Sequence, residues 1–173
     1  MSSATVQFRK LHSAVEAGLI VSAVTALLLG SAVYLLERDW ADTMLLAPFI
    51  AYQWPTSAVF GALGGFLPSL LHAYAICILL MVTLWPWPRT RAWVCLLWFA
   101  LAAFFEWMQS DTGSAWFTAN EWLLDDVPLM VYLKSYSVHG QFDYIDLLAN
   151  GVGCITALDV TTAITPYRKR THS

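Results

Sequence analysis

Charged residues are scarce in this chain. Asp, Glu, Lys and Arg make up 12% of its 173 residues, whereas 58% are hydrophobic, and the mean hydropathy is +0.59. A soluble domain of this size carries about twice that share of charged residues, so the composition indicates an integral membrane protein. The formal net charge of −3 gives no basic surface of the kind that attracts nucleic acid, and no nucleic-acid partner is expected.

Cysteine is also rare, and none of the cysteines lies at a spacing typical of a disulfide framework or a metal-binding motif. Cys77, Cys95 and Cys154 each stand alone in an apolar run. Without a CxxC or paired Cys/His spacing, neither a disulfide framework nor a zinc site is predicted. We interpret the three thiols as small, buried, apolar side chains. No internal repeat and no low-complexity segment is present.

Four apolar segments are long enough to cross a membrane as helices, which takes about 20 residues. Their predicted bounds are about 14–36, 66–84, 92–109 and 145–164. A cleaved signal peptide is the competing interpretation of the first segment, with Gly30-Ser31-Ala32 as its processing site. The apolar run continues to Leu36, which favours a retained helix. The predicted fold is an all-α membrane protein with four transmembrane helices.

Two connecting segments differ from simple loops. Residues 43–65 are apolar but interrupted by Pro48, Pro55 and several glycines, so an interfacial or partly re-entrant segment is expected rather than a spanning helix. Residues 110–144 form the longest polar stretch and are rich in aromatic residues. We expect one or two amphipathic pieces there, lying on the membrane surface.

The cation distribution predicts the orientation. With four spans, both termini and the turn at 85–91 lie on one side. Seven of the nine Lys and Arg residues fall on that side, and only Arg38 and Lys134 fall on the other. The positive-inside rule therefore places both termini in the cytoplasm.

Polar residues enter the last apolar segment along one narrow stripe. At about 100° per helical residue, Asp143, Asp146 and Asn150 share a face. Gly151 and Gly153 leave room beside that stripe for a neighbouring helix to approach closely. A carboxylate inside a membrane segment is costly, so its presence favours a functional site.

Two other predicted helices carry polar residues at the same depth. His72 lies in the second helix, and Glu106 and Gln109 lie in the third. At ~1.5 Å per residue, these side chains all fall in the outer third of the membrane, and we expect them to converge through a hydrogen bond between helices. The candidate catalytic residues are His72, Glu106 and Asp146. The candidate ligand-binding residues are Gln109, Asp143 and Asn150.

Two other interpretations of this cluster stay open. Asn and Gln side chains often join helices by hydrogen bonds alone, and Glu106 could be protonated and bonded to Gln109. The residue types would also suit a metal ion. Because no paired-ligand motif such as HExxH is present, no metal and no other cofactor is predicted.

Three short motifs follow one another between residues 60 and 160. The first is Pro68-Ser69-Leu70-Leu71-His72, and the second is Glu106-Trp107-Met108-Gln109. The third is Gly140-Gln141-Phe142-Asp143-Tyr144-Ile145-Asp146-Leu147-Leu148-Ala149-Asn150-Gly151-Val152-Gly153. Together they resemble the Pro-Ser-x-x-His, Glu-x-x-Gln and Gly-x-x-Asp-x-x-Asp-x-x-Ala-Asn-x-x-Gly elements of the VanZ-like family of small bacterial membrane proteins. Gln141 is a departure, because many relatives carry Arg there and would offer a cation to a phosphate.

The resemblance implies a single VanZ-like domain over residues 1–173 in a bacterial cytoplasmic (inner) membrane. The founding member is associated with resistance to a lipoglycopeptide antibiotic, and the family brings no settled reaction. We therefore expect a cell-envelope protein whose outer polar pocket binds or processes a membrane lipid or a lipid-linked envelope precursor. The alternative is a non-enzymatic accessory or assembly subunit with a membrane-protein partner. A transporter is less favoured, because four helices without an inverted repeat suit alternating access poorly.

Overall fold

The fold consists of helices packed side by side. A computed structural model describes residues 3–37, 59–84, 87–120, 133–134, 136–137 and 142–164, with side chains from residue 13 onward. The helices are α1 (Ser3–Glu37), α2 (Ala62–Thr83), α3 (Arg91–Met108), α4 (Asp111–Ala119) and α5 (Tyr144–Ile164), and a short 3-10 helix, Pro88–Thr90, precedes α3. Within these ranges no residue is in a strand.

Four of the helical segments are long and apolar enough to cross a membrane: Ser13–Glu37, Ala62–Thr83, Pro88–Met108 and Tyr144–Ile164. The predicted all-α fold with four spanning helices is therefore confirmed, and the chain is a multi-pass membrane protein. The side of the membrane on which the termini lie stays a prediction.

Two helices begin earlier than the sequence predicted. The first starts at Ser3 rather than near residue 14, because the helix continues past its apolar portion. The second starts at Ala62 rather than near residue 66, so Gly64 and Gly65, interpreted as part of a break, lie in its first turns, and Gly61 precedes it. The rest of the predicted re-entrant segment, residues 43–58, lies outside the described residues.

The start of α2 depends on a contact with the end of α1. The Glu37 carboxylate accepts a hydrogen bond from the Phe60 backbone N–H, just before Gly61 turns the chain with a φ of +53°. A Cβ at position 64 would overlap that carboxylate. Glycine therefore fits at position 64 despite its low helix propensity, because Glu37 occupies the space that a side chain would need.

The core lies around α2. This helix packs against both α1 and α5, whereas α3 packs mainly against α5. Ala73, Cys77, Ile78 and Met81 of α2 are fully buried. Apart from a few polar residues such as Ser69 and His72, this central helix is apolar, as expected for one surrounded by other helices and lipid.

Glycines bring α5 close to two neighbours, as the sequence predicted. At position 153 a Cβ would overlap the Leu70 carbonyl oxygen and stand 3.0 Å from the Ala73 Cβ. At position 151 it would stand 3.3 Å from the Phe99 ring. The backbones of α2 and α5 are therefore in direct contact, a distance that only small residues permit.

Arg91, one of the cations of the turn at 85–91, is buried at the start of α3. It is 7% exposed, and its Nη1 donates a 3.1 Å hydrogen bond to the Thr161 carbonyl oxygen on α5. The last four carbonyls of a helix have no partner within that helix, and the negative end of the helix dipole attracts a cation. The end of α5 therefore holds the guanidinium.

The short helix α4 follows directly on α3. Its N-cap is Ser110, whose Oγ accepts a 3.2 Å hydrogen bond from the Gly113 N–H. Asn120 ends this helix, and its Nδ2 donates to the Trp116 carbonyl oxygen at 2.8 Å. A helix within 110–144 is thus confirmed, and its place on the membrane surface stays a prediction.

Candidate polar site at one end of the bundle

The helix directions bring five of the six predicted site residues to one end. Contacts Ser69–Asp146 and Cys77–Cys154 both join residues 77 positions apart, so α2 and α5 run parallel. The contact between Arg91 and Thr161 shows that α3 runs opposite to α5. We call the end where α1 and α3 finish and α2 and α5 begin the polar end. Glu106, Gln109, Asp143, Asp146 and Asn150 lie there, whereas His72 lies near the middle of α2. Each of the six is partly buried.

Asp146 joins α5 to α2. One of its carboxylate oxygens, Oδ1, accepts a 2.8 Å hydrogen bond from the Ser69 hydroxyl. Ser69 precedes the crossing point of the two helices at Leu70 and Ala73. A charge-assisted hydrogen bond of this kind is stronger than one between neutral groups. The candidate carboxylate thus faces another helix rather than lipid, as predicted.

The side chain of Glu106, which belongs to α3, lies against the beginning of α5. Its Oε2 accepts a 3.1 Å hydrogen bond from the Asp143 backbone N–H. A carboxylate at a helix N-terminus is stabilised by the partial positive charge of the unpaired N–H groups there. The side chain of Asp143 caps the same helix, since its Oδ1 accepts from the Ile145 N–H at 2.8 Å. Both carboxylates therefore have a structural partner.

Gln109 contacts the segment that leads toward α5. Its amide Nε2 donates to the hydroxyl of Tyr136, and the Tyr136 ring packs edge-on against Phe105, with ring centroids 5.8 Å apart. The neighbouring Ser137 is 1% exposed. These contacts hold the described part of this segment against the end of α3.

His72 faces α1. Its Nδ1 lies 2.7 Å from the Pro68 carbonyl oxygen and its Nε2 lies 3.4 Å from the Ser31 hydroxyl. Because a carbonyl only accepts, Nδ1 carries a proton, and in the neutral ring Nε2 accepts from Ser31. A Cβ at Gly30 would stand 3.1 Å from the ring, so the small residue on α1 makes the space for the imidazole.

Asn150 bonds within its own helix. Its Nδ2 donates to the Asp146 carbonyl oxygen one turn earlier, at 2.9 Å. The expected stripe of Asp143, Asp146 and Asn150 thus lies on the first turns of α5. Hydrogen bonds between elements are present, but they join His72, Glu106 and Asp146 to three different neighbours, and a direct bond among the candidate side chains stays a prediction. Their convergence on one ligand stays a prediction.

Several contact residues were not among the predicted site residues. Ser69 belongs to the Pro-Ser-x-x-His motif, and that motif could have identified it. Ser31 and Tyr136 carry no such signal, because a lone serine or tyrosine in a membrane protein is an ordinary packing residue. Within the part of the chain that the structure describes, no group of three His, Cys, Asp or Glu side chains is arranged to hold a metal ion.

Comparisons of this chain with protein families, curated proteins and solved structures found no match. What the polar end does must therefore be inferred from its own residues and from the sequence motifs.

Proposed function

We propose that this chain is a VanZ-like protein of a bacterial cytoplasmic membrane, with cytoplasmic termini and an outward-facing polar end. There it binds or processes the head group of a lipid-linked or other envelope substrate. The three motifs and the positive-inside cation distribution support the family and the orientation. The proposal requires no cofactor.

One observation carries the proposal. Carboxylate and amide side chains from α3 and from the start of α5 are gathered at one end of the helix bundle, with the His72 imidazole deeper along α2, and none of the six is fully buried. Polar groups that serve only to join helices are expected to be fully buried, because exposing part of such a group to lipid costs free energy and adds no contact. Side chains held in place by neighbours yet still exposed suit a ligand-binding surface.

The geometry suggests a role for each group. Asp146 and Glu106 are oriented by Ser69 and by the start of α5, and we propose that their carboxylates accept hydroxyl or amide protons of a bound head group. His72 is the candidate proton donor or acceptor. Gln109, Asp143 and Asn150 position these groups and the ligand.

Isosteric variants separate this role from a purely structural one. Glu106→Gln and Asp146→Asn keep an oxygen that accepts from the Asp143 N–H and the Ser69 hydroxyl, but they remove the charge. Asp159→Asn is the matched control, because Asp159 is an exposed carboxylate in the last turns of α5. The readouts are resistance of the expressing bacteria to a lipoglycopeptide antibiotic and the lipid that co-purifies with the protein.

We expect both site variants to accumulate normally in membranes yet to lose resistance and bound lipid, and Asp159→Asn to behave as the native chain. Full function of Glu106→Gln and Asp146→Asn would contradict the proposal. If alanine at these positions also prevented accumulation, the carboxylates would have a structural role only.

The second candidate function is an accessory subunit. It is favoured by exposed aromatic rings near the polar end: Phe104, Trp107 and Trp116 are 45%, 40% and 47% exposed. Aromatic residues are enriched both in membrane interfaces and in protein interfaces. Purification in mild detergent distinguishes the two, since an accessory subunit should retain a stoichiometric protein partner and an independent protein should not.

A further inference from the structure

The three cysteines of the chain meet in the core, although the sequence separates them widely. They come from α2, α3 and α5 and are 0% (Cys77), 8% (Cys95) and 4% (Cys154) exposed. The Cys77 thiol points at the Cys154 sulfur, with the two Sγ atoms 3.7 Å apart. The Cys95 thiol donates to the Cys154 carbonyl oxygen at 3.2 Å. Three helices thus contribute their only thiols to one cluster.

A groove leads from the lipid-facing surface to this cluster. It has a volume of about 290 Å³ and lies between α3 and α5. Its lining is Cys95, Leu96, Phe99, Gly151, Cys154, Ile155 and Leu158. Leu96 and Ile155 are 54% and 61% exposed, so the groove opens toward acyl chains. The side chains that line this groove are apolar or thiols, so it admits an oxidant dissolved in the membrane more readily than one dissolved in water.

We propose that Cys154 is oxidised through this groove by an organic hydroperoxide of the lipid phase, such as a peroxidised acyl chain, and then forms a disulfide with Cys77. Cys154 lines the groove, and its sulfur contacts the Cys77 sulfur. The two atoms must approach by about 1.7 Å to reach the ~2.05 Å of a disulfide bond. Helices α2 and α5 already touch at Gly153, next to Cys154, so side-chain rotation can supply this change.

The reaction has two steps. The Cys154 sulfur attacks the peroxide, an S–O bond forms, the O–O bond breaks, and the alcohol leaves with the thiol proton. The Cys77 sulfur then attacks the Cys154 sulfur, the S–S bond forms, and water leaves with the proton of Cys77. Two thiols and one hydroperoxide thus give one disulfide, one alcohol and one water. The product links α2 covalently to α5 until a dithiol reduces it.

The test uses the full chain in phosphatidylcholine vesicles that contain a phosphatidylcholine hydroperoxide. After incubation the protein is denatured and alkylated, and the disulfide is located by mass spectrometry of its peptides. We expect two of the three cysteines to become resistant to alkylation, with the Cys77 and Cys154 peptides linked. Cys95→Ser keeps a donor for the Cys154 carbonyl, and this matched variant should form the same disulfide. Cys77→Ser should form none.

The peptide map of the native chain decides the outcome even if a variant folds poorly. Three alkylated cysteines, a disulfide that contains Cys95, or a disulfide between two chains would each overturn the proposal. Hydrogen peroxide added to the water at the same dose should oxidise the pair more slowly. Equal rates of oxidation by the two peroxides would overturn the proposal that the oxidant enters through the lipid-facing groove.

Discussion

The hydroxyl of Ser69 on α2 donates a 2.8 Å hydrogen bond to the Asp146 carboxylate on α5, across a separation of 77 residues. This bond lies beside a close contact of the two helices, where a Cβ on Gly153 would overlap the Leu70 carbonyl oxygen. A polar bond and a backbone contact therefore fix the same pair of helices. The candidate carboxylate is positioned beside this contact.

Removing the Ser69 hydroxyl should weaken the bundle. Ser69→Ala leaves one Asp146 oxygen without its donor, and we expect the free energy of unfolding in detergent to fall by about 1–2 kcal/mol. The matched control is Thr156→Ala on α5, because that exposed hydroxyl bonds only to the Val152 carbonyl of its own helix. Equal losses for the two variants would contradict a specific contribution from the Ser69–Asp146 bond.

A single methyl group at Gly153 should force α2 and α5 apart. We expect Gly153→Ala to lower the free energy of unfolding by about 1–3 kcal/mol, the usual cost of overpacking a close contact. Gly65→Ala is the control, because nothing lies within 4 Å of a Cβ there and alanine favours a helix over glycine. Denaturation of both variants in the same detergent measures the difference. A Gly153→Ala variant as stable as Gly65→Ala would show that the helices do not meet there.

A comparison of Arg91 with Arg89 separates the effect of burying an arginine from the effect of its positive charge. Arg91→Ala removes the donor to the Thr161 carbonyl, so we expect a loss of about 1.5–3 kcal/mol in the free energy of unfolding. Arg89 is exposed in the same turn, and Arg89→Ala should change stability by less than about 0.5 kcal/mol. Both variants remove one positive charge from the turn, so a difference in thermal or denaturant midpoints reports the buried contact alone. Equal midpoints would mean that Arg91 acts only as a surface cation.

The sequence predicted the positions of the helices better than it predicted which helices and side chains contact one another. Four apolar runs of sufficient length identify spanning helices whatever the packing, and Gly151 and Gly153 indicated a close approach. The predicted start of α2 was wrong, because Gly64 and Gly65 are helical despite their low helix propensity. The Glu37 carboxylate fills the space beside Gly64. That carboxylate belongs to another helix, and no local pattern reveals it.

The residues of the candidate site could be named from the sequence, whereas their partners could not, and their role as one site stays a prediction. Depth along a helix follows from residue number, which placed Glu106 and Asp146 near the ends of their helices. His72 lies deeper in α2 than predicted, because that helix begins at Ala62. The partners of these residues depend on helix rotation and on which helices are adjacent, which periodicity leaves undetermined. The same reason explains the cysteines: each was an isolated apolar residue in sequence, and only the parallel register of α2 and α5 brings Cys77 beside Cys154.

The parallel pairing of α2 with α5 also bears on how the chain is assembled during synthesis. Segments emerge in order from the N-terminus, so α5 is the last of the described helices to enter the membrane. Until it does, the face of α2 that carries Ser69, Ala73 and Cys77 lacks its neighbour. A nascent chain that stalls after α3 therefore exposes a hydroxyl and an uncovered helix surface within the bilayer. Insertion of the final helix is the step that completes the core, and it is where a membrane insertase or a quality-control protease would distinguish finished from unfinished molecules.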